Sequence, residues 1–421
     1  MDSFVIEGGT PVQGEVAISG SKNAALPILC SSILADDTCT YQKIPDLRDI
    51  RTIIEVLSNL GMQVSGVDES CVLIEPTQIT SQEAPYELVK SMRASILVLG
   101  PLLAKYGKAK VSLPGGCAIG VRPIDMHLKG LAKMGAEINL SHGYVVASAK
   151  QLKGARIVFD KPTVGGTENI MMAATLAKGT TVIEGAAKEP EVVDLADALT
   201  RMGAHISGAG SSTVSVEGVK SLTGLEYEVI PDRIETGTFI AAAAITHGQL
   251  MITGVRHDLI VSVVEKLRET GVIIKEIGQG KLFVDGRCEI RPIDVVTAPY
   301  PGFPTDMQAQ IMALSCIGVG VSSITETIFE NRFMHVPELM RMGANLEEKG
   351  TTVIVRGIKQ FQGASVMATD LRASASMVLA ALNAKGLTEI RRIYHLDRGY
   401  EELDMKLKSI GARVERIRGD L

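Results

Sequence analysis

One short step recurs six times along this chain: Leu, Met, Thr or Ile, then Gly, then Ala, Met or Val, at Gly61, Gly135, Gly203, Gly271, Gly343 and Gly411. The intervals are 74, 68, 68, 72 and 68 residues. Near-regular repetition constrains a fold more tightly than composition does, because every copy is one supersecondary unit that buries its apolar face against its neighbours. Each of these glycines closes an amphipathic stretch, such as residues 192–199 or 403–407. Apolar positions there recur at helical spacing, and Gly stands where a helix C-cap belongs.

A second helix of different character precedes each step. The clearest copies span residues 169–178, 236–246, 306–317 and 372–385, small and apolar on nearly every side. That is the pattern of a helix buried all round. Glycines follow most of them (Gly107, Gly179, Gly248, Gly318, Gly386), and several run on into a β-branched strand such as residues 180–183. Each unit therefore reads as buried helix, strand, outer amphipathic helix and further strands. A unit of about 70 residues is longer than the roughly 20–50 of a solenoid repeat. At 421 residues the chain exceeds one comfortable core. The expectation is an α/β protein of two domains, three units in each, with the seam near Pro231. Aromatics are only 4% and Trp is absent, so Ala, Ile, Leu, Val and Met must fill the cores.

Net charge is −5, which gives no global attraction for nucleic acid or anionic lipid. Any anion must be held by a local cluster of Arg and Lys. Cys30, Cys39, Cys71, Cys117, Cys288 and Cys316 show no C-x-x-C and no metal spacing, so no metal or cofactor is expected and the thiols read as reduced. The first residues carry no basic segment and no apolar signal core. The longest apolar runs, such as residues 96–104, fall short of the roughly 18 a membrane helix needs. A cytoplasmic location is the expectation.

The residues that open the buried helices are polar and often basic: Ser21-Lys22-Asn23, Ser91-Met92-Arg93, Gly166-Thr167-Glu168, Arg233-Ile234-Glu235-Thr236, Thr305-Asp306 and Thr369-Asp370-Leu371-Arg372. Ser, Thr and Asp serve as N-caps. Lys22, Arg93, Arg233 and Arg372 are not explained that way, because a cation there opposes the helix dipole by about 0.3–1 kcal/mol. The placement makes sense where an anion shares the helix end. If the buried helices run parallel, their N-termini line one anion-binding cleft between the domains.

These segments resemble the UDP-N-acetylglucosamine 1-carboxyvinyltransferases of the enolpyruvyl transferase family. The resemblance is carried by Ser19-Gly20-Ser21-Lys22-Asn23-Ala24-Ala25, by Leu113-Pro114-Gly115-Gly116-Cys117-Ala118-Ile119-Gly120-Val121-Arg122-Pro123 and by residues 231–237. Phe303-Pro304-Thr305-Asp306-Met307-Gln308, residues 326–333, residues 368–374 and residues 392–401 complete it, so it covers essentially the whole chain in order. It implies two inside-out α/β barrel domains, each with threefold internal repeats. Residues 1–20 plus 232–421 would form the C-terminal domain and residues 21–231 the N-terminal one, with the active site in the cleft between them.

The resemblance also implies the chemistry, the first committed step of peptidoglycan synthesis. The 3′-hydroxyl of UDP-N-acetylglucosamine adds to C2 of phosphoenolpyruvate while C3 takes a proton, and phosphate then leaves. Lys22, Arg122 and Arg398 would hold the phosphate and carboxylate of phosphoenolpyruvate, with Asn23 beside them and Arg372 nearby; an Arg fork suits planar or tetrahedral oxyanions. Asp306 would be the base for the sugar hydroxyl, with an N-cap carboxylate as its plainer reading. Cys117, in a Gly-rich loop, would be the general acid and the site of attack by fosfomycin. The nucleotide sugar falls to Arg93, to Arg122, Pro123, Ile124, Asp125 and Met126, to Lys161, Pro162, Thr163 and Val164, and to Asp306 and Ile328. His127 reads as packing or solvated. The remaining cysteines read as structural, and the chain is expected to act as a monomer. Two other readings are a transferase like 5-enolpyruvylshikimate-3-phosphate synthase, which product analysis with each acceptor separates, and a non-catalytic nucleotide-sugar scaffold, which would bind ligand without releasing phosphate.

Overall fold

The computed structural model describes residues 2–66, 71–76, 79–90, 92–113 and 124–419. Cys117, Arg122 and Pro123 lie outside these residues, and so does the Arg93 side chain. The described residues form six four-stranded sheets that share one strand order. In the sheet of residues 156–217, the short strand Arg156–Val158 pairs in parallel with Thr180–Glu184. That strand pairs antiparallel with Thr213–Glu217, which in turn pairs with His205–Ser207. Helix Val164–Ala174 makes the parallel crossover and helix Pro190–Arg201 the next connection. The six-unit reading and the α/β class both hold.

Two compact units result, one of residues 2–19 with 231–419, the other of residues 20–113 with 124–230. Each is wired as a closed ring of three sheets. In the second unit the last strand, Glu226–Glu228, returns to pair with Cys39–Gln42 of the first sheet. In the first unit the chain's opening residues close the ring. Strand Ser3–Glu7 lies between Leu387–Arg391 and Arg413–Ile417, and Gln13–Ala17 pairs in parallel with Gln249–Thr253.

Three helices fill the middle of the first unit, Arg233–Ile245, Gln308–Cys316 and Ala373–Asn383, each packed on the other two. Every residue from Ile234 to Ile245 is buried, including the run Ala241-Ala242-Ala243-Ala244, whose small side chains let neighbouring backbones approach. Lys22–Ser31, Leu99–Tyr106 and Val164–Ala174 are the corresponding helices of the second unit.

Two of these helices begin earlier than their apolar pattern suggests, at Val164 rather than 169 and at Arg233 rather than 236. The caps decide it. Thr163 accepts from the Gly166 N–H, and Asp232 accepts from the N–H groups of Ile234 and Glu235. Polar residues and two glycines are thus drawn into a first turn where propensity argues for a loop. Residues 305–307 form a 3₁₀ turn before helix Gln308–Cys316.

The six glycines of the repeated step all carry positive φ, from 87° at Gly411 to 108° at Gly61, the left-handed C-cap that the sequence pattern called for. Gly218 serves a different purpose: a Cβ there would lie 1.7 Å from the Ala177 carbonyl oxygen. Around Gly203, with φ of 105°, such a Cβ would meet nothing within 4 Å. Gly203→Ala is therefore expected to cost only the conformational term, about 1–2 kcal/mol. Gly218→Ala should lower stability further by at least about 1 kcal/mol, because backbone must move. Urea denaturation of the two variants checks the order; equal losses would contradict it.

Candidate active site

In the first unit, a chain of alternating charges joins residues far apart in sequence. Asp232 caps helix Arg233–Ile245 with Oδ1. Its Oδ2 accepts from Arg372 Nη2 at 2.9 Å. Arg372 is 1% exposed; its Nη1 donates to the Gly399 carbonyl at 3.1 Å, and its guanidinium lies 5.1 Å from the centre of the Tyr400 ring. Burial opposes its charge, but the Asp232 carboxylate, with Tyr400 and Asp306, holds it well above an ordinary arginine.

Asp306 stands between two arginines. Its Oδ1 accepts from Arg332 Nη2 at 2.8 Å, and its Oδ2 lies 3.8 Å from Arg372 Nε. Arg332 is also buried, and its Nη1 donates to Thr305 Oγ1 at 3.1 Å. Burial again opposes the charge, and Asp306 and Asp370 outweigh it. The Thr305 hydroxyl donates to Glu326 Oε2 at 2.7 Å, while Glu326 Oε1 accepts from the Ile328 N–H at 2.7 Å and the Phe329 N–H at 3.2 Å. Asp306 is thus no helix cap: its carboxylate is oriented by guanidinium groups and remains partly open, with 26% of its side chain exposed. Arg398 ends the 3₁₀ turn Ile393–Arg398, one residue before the Gly399 carbonyl that Arg372 holds.

In the second unit, Lys22 is 5% exposed and opens its helix behind the Ser21 cap. Its Nζ lies 3.3 Å from Asp49 Oδ2. Two of the helix-opening cations therefore meet carboxylates of the protein itself, which is where the local dipole argument fell short. Arg233, a third, lies 5.8 Å from the Tyr300 ring centre. Asn23 follows Lys22 and is half-buried.

Lys161 and Pro162 are exposed just ahead of helix Val164–Ala174. The Thr163 hydroxyl accepts from Gly166 at 3.2 Å. The N–H groups of Val164 and Gly165 make no hydrogen bond to a described residue, so this helix end is competent to receive an anion. Ile124 stands just before helix Asp125–Lys133 without a side-chain cap, and Met126 is half-buried in its first turn. Asp125 pairs with Lys129 at 3.1 Å, a hydrogen bond that holds its carboxyl below the ordinary range. The structure thus brings Asp306, Arg372 and the Ile328 backbone together in one unit, and places Lys22 with Asn23 and Lys161 with Thr163 and Val164 in the other.

Sequence reasoning passed over Asp232, Arg332 and Glu326 as site residues. All three stood inside segments that carry the resemblance; nothing local marks Asp232 as a carboxylate that pairs across 140 residues. Cys30, Cys39, Cys71, Cys288 and Cys316 are free thiols, and burial pushes those of Cys30 and Cys316 strongly upward, which suits structural roles. Among the described residues no acidic, His or Cys group is placed to hold a metal ion, and no helix is long and apolar enough to cross a membrane.

Residues 6–407 match the family model described as EPSP synthase (3-phosphoshikimate 1-carboxyvinyltransferase). The chain is 57% identical over 419 residues to the UDP-N-acetylglucosamine 1-carboxyvinyltransferase of Thermodesulfovibrio yellowstonii, covering 99% of this chain and 100% of the relative. The protein of the same name from Geotalea uraniireducens is 56% identical over 418 residues, with 99% and 100% covered. Among solved structures, the enolpyruvyl transferase NikO from Streptomyces tendae superposes with a TM-score of 0.89 at 25% identity, covering 99% of this chain and 98% of that one. An EPSP synthase from Acinetobacter baumannii gives 0.78 at 17% identity over 99% and 100% of the two chains, a likeness of fold.

His335, fully buried beside this array, makes no hydrogen bond to a described residue through either ring nitrogen. Burial pulls its pKa from the ordinary 6.5 down to about 4, with Arg332 acting in the same direction and Asp370 against it. The folded protein thus keeps a neutral imidazole while the unfolded chain takes up a proton below about pH 6.5. Stability should fall as pH drops from about 6.5 towards 4, by at most about 1.4 kcal/mol per pH unit from this group. His335→Gln should flatten that part of the curve in urea titrations at successive pH values. A variant with the wild-type slope would contradict the assignment.

Proposed function

The chain belongs to the enolpyruvyl transferase family, and on that premise we propose that it transfers the enolpyruvyl group of phosphoenolpyruvate to the 3′-hydroxyl of UDP-N-acetylglucosamine. Phosphate is released, and the product is a precursor of peptidoglycan. The observation that carries this reading is the 57% identity to a protein of that name over 99% of the chain. The site geometry agrees with it.

The reaction is addition followed by elimination. The sugar oxygen forms a bond to C2 of phosphoenolpyruvate and loses its proton to a base, while C3 gains a proton from an acid. The tetrahedral adduct then expels phosphate from C2 and loses a proton from C3, restoring the double bond. Asp306 is the base in this reading. A carboxylate held by Arg332 from one side and approached by Arg372 from the other is fixed in orientation before substrate arrives, which proton transfer at hydrogen-bond range requires. Cys117 is the general acid and the residue that fosfomycin alkylates.

Lys22, Arg122 and Arg398 hold the two anionic groups of the donor, with Asn23 and Arg372 beside them. Lys22 brings an ammonium charge to the phosphate. The nucleotide sugar lies along Arg93, Arg122, Pro123, Ile124, Asp125, Met126, Lys161, Pro162, Thr163, Val164, Asp306 and Ile328. Its diphosphate meets the Val164 and Gly165 N–H groups with Lys161 nearby. The Ile328 N–H is already given to Glu326, so this residue offers the sugar its carbonyl or its side chain. The roles fall on both units of the chain. The enzyme works in the cytoplasm as a monomer and needs neither metal nor cofactor.

Phosphate release measured with both substrates tests the reading. Turnover is expected only when phosphoenolpyruvate and UDP-N-acetylglucosamine are present together; shikimate 3-phosphate in place of the sugar nucleotide should give none. Cys117→Ser should lose most turnover, about 100-fold or more, whereas Cys117→Asp, which can also donate a proton, should retain more. Equal rates in the two variants would remove the acid role, and binding of both ligands without phosphate release would mark a scaffold.

A further inference from the structure

Tyr400 is buried in the first unit, and side chains from all three of that unit's central helices converge on it. Arg372, which precedes helix Ala373–Asn383, sets its guanidinium against the ring. The hydroxyl reaches Thr238 Oγ1 on helix Arg233–Ile245 at 2.9 Å and Gln310 Nε2 on helix Gln308–Cys316 at 3.2 Å. Burial raises the pKa of the phenol, with Arg372 acting against it, so the hydroxyl keeps its hydrogen.

The neighbours fix where each hydrogen goes. Gln310 is fully buried, and its Nε2 stands 2.9 Å from the Asp306 carbonyl oxygen. A carbonyl can only accept, so this end of the amide is the donor. Nε2 carries two hydrogens; one goes to Asp306 and the other to the Tyr400 oxygen. A third contact, 3.4 Å to Thr238 Oγ1, is too long to compete. Thr238 has one hydroxyl hydrogen, and the Ile234 carbonyl takes it at 2.9 Å. Thr238 therefore accepts from Tyr400. The bonds run one way, from Gln310 to Tyr400, from Tyr400 to Thr238, and from Thr238 to the backbone of Ile234. Gln310 Oε1 is left buried with no hydrogen bond to a described residue. An unmade hydrogen bond inside a core is a standing cost, which stability alone gives no reason to keep.

We propose that Tyr400 and Gln310 are positioning residues for the reaction: through Gln310, the Tyr400 hydroxyl ties the turn that carries Asp306 to the turn that carries Arg398, so that base and donor-binding cation keep a fixed spacing within the first unit. The inference rests on the function proposed above. In that reading neither side chain touches substrate. Tyr400 follows Arg398 by two residues, and Arg372 holds the Gly399 carbonyl between them. Gln310 stands one helical turn after Asp306 and 90 residues before Tyr400. One amide thus joins two site segments that the chain itself keeps far apart.

Two measurements on the full-length protein test it. The first is amide hydrogen exchange, followed by mass spectrometry. Tyr400→Phe keeps the ring against Arg372 and removes only the hydroxyl. It should speed exchange in a peptide covering residues 303–308 about fivefold, while strand Lys281–Asp285 of the same unit exchanges as before. Unchanged exchange at 303–308, or an equal rise in that strand, would overturn the proposal. The second is steady-state kinetics per mole of folded protein, so that a loss of stability alone leaves kcat unmoved. Tyr400→Phe and Gln310→Met, the latter of similar volume, should each lower kcat roughly five- to tenfold, the worth of one neutral hydrogen bond. KM for UDP-N-acetylglucosamine should change little, because most of the nucleotide's proposed contacts lie in the other unit. The double variant should be no slower than the slower single one, since both substitutions break the same link. Losses that multiply, or a wild-type kcat in either single variant, would overturn the proposal. If the wild-type protein released no phosphate, the functional reading would fall, while the exchange experiment would still decide whether the two turns are coupled.

Discussion

Asp232 uses its two carboxylate oxygens for two different tasks, and the site in the first unit hangs on both. Oδ1 satisfies two N–H groups at the start of helix Arg233–Ile245, an end that burial would otherwise leave without partners. Oδ2 holds Arg372 at 2.9 Å. Both members of the pair are almost completely enclosed, so neither can fall back on water if the other is lost. Arg372 in turn holds the Gly399 carbonyl beside Arg398 and comes within 3.8 Å of Asp306. Arg332 closes the series on the far side of Asp306. A helix cap thus extends, through alternating charges, to the carboxylate proposed to take the sugar's proton.

The repeat supplies the scaffold, and departures from the repeat supply the chemistry. Six sheets share one strand order, and six outer helices end on left-handed glycines. The starts of the buried helices share no such sameness. One begins with Lys22 against Asp49, another with the Thr163 cap and two glycines, a third with Asp232. The same structural need, polar groups for helix ends cut off from water, is met by different residues in each copy. Each solution leaves a different group at the helix start: an ammonium against a carboxylate, two N–H groups with no acceptor among the described residues, and a carboxylate that also holds a guanidinium.

That division also explains what could be read from the sequence. Glycine steps and apolar periodicity are local, so the repeat count, the α/β class and the enclosed helices were legible without coordinates. Matching motifs named Lys22, Asp306 and Arg372 as site residues. Their partners were not legible, because Asp232 meets Arg372 across 140 positions and Asn169 meets His127 across 42. The helix start at Val164 was missed for a related reason: the Thr163 cap that sets it outweighs the poor helix propensity of Gly165 and Gly166.

If one connected array holds Asp306, its members must act together although Asp232 and Arg332 do not touch. A double-mutant cycle on stability, pairing Asp232→Asn with Arg332→Gln, measures this most directly, since Asn still caps the helix. Coupling of about 1 kcal/mol or more is the predicted result, as for residues in one network. Losses that add to within about 0.5 kcal/mol, the behaviour of independent sites, would contradict it.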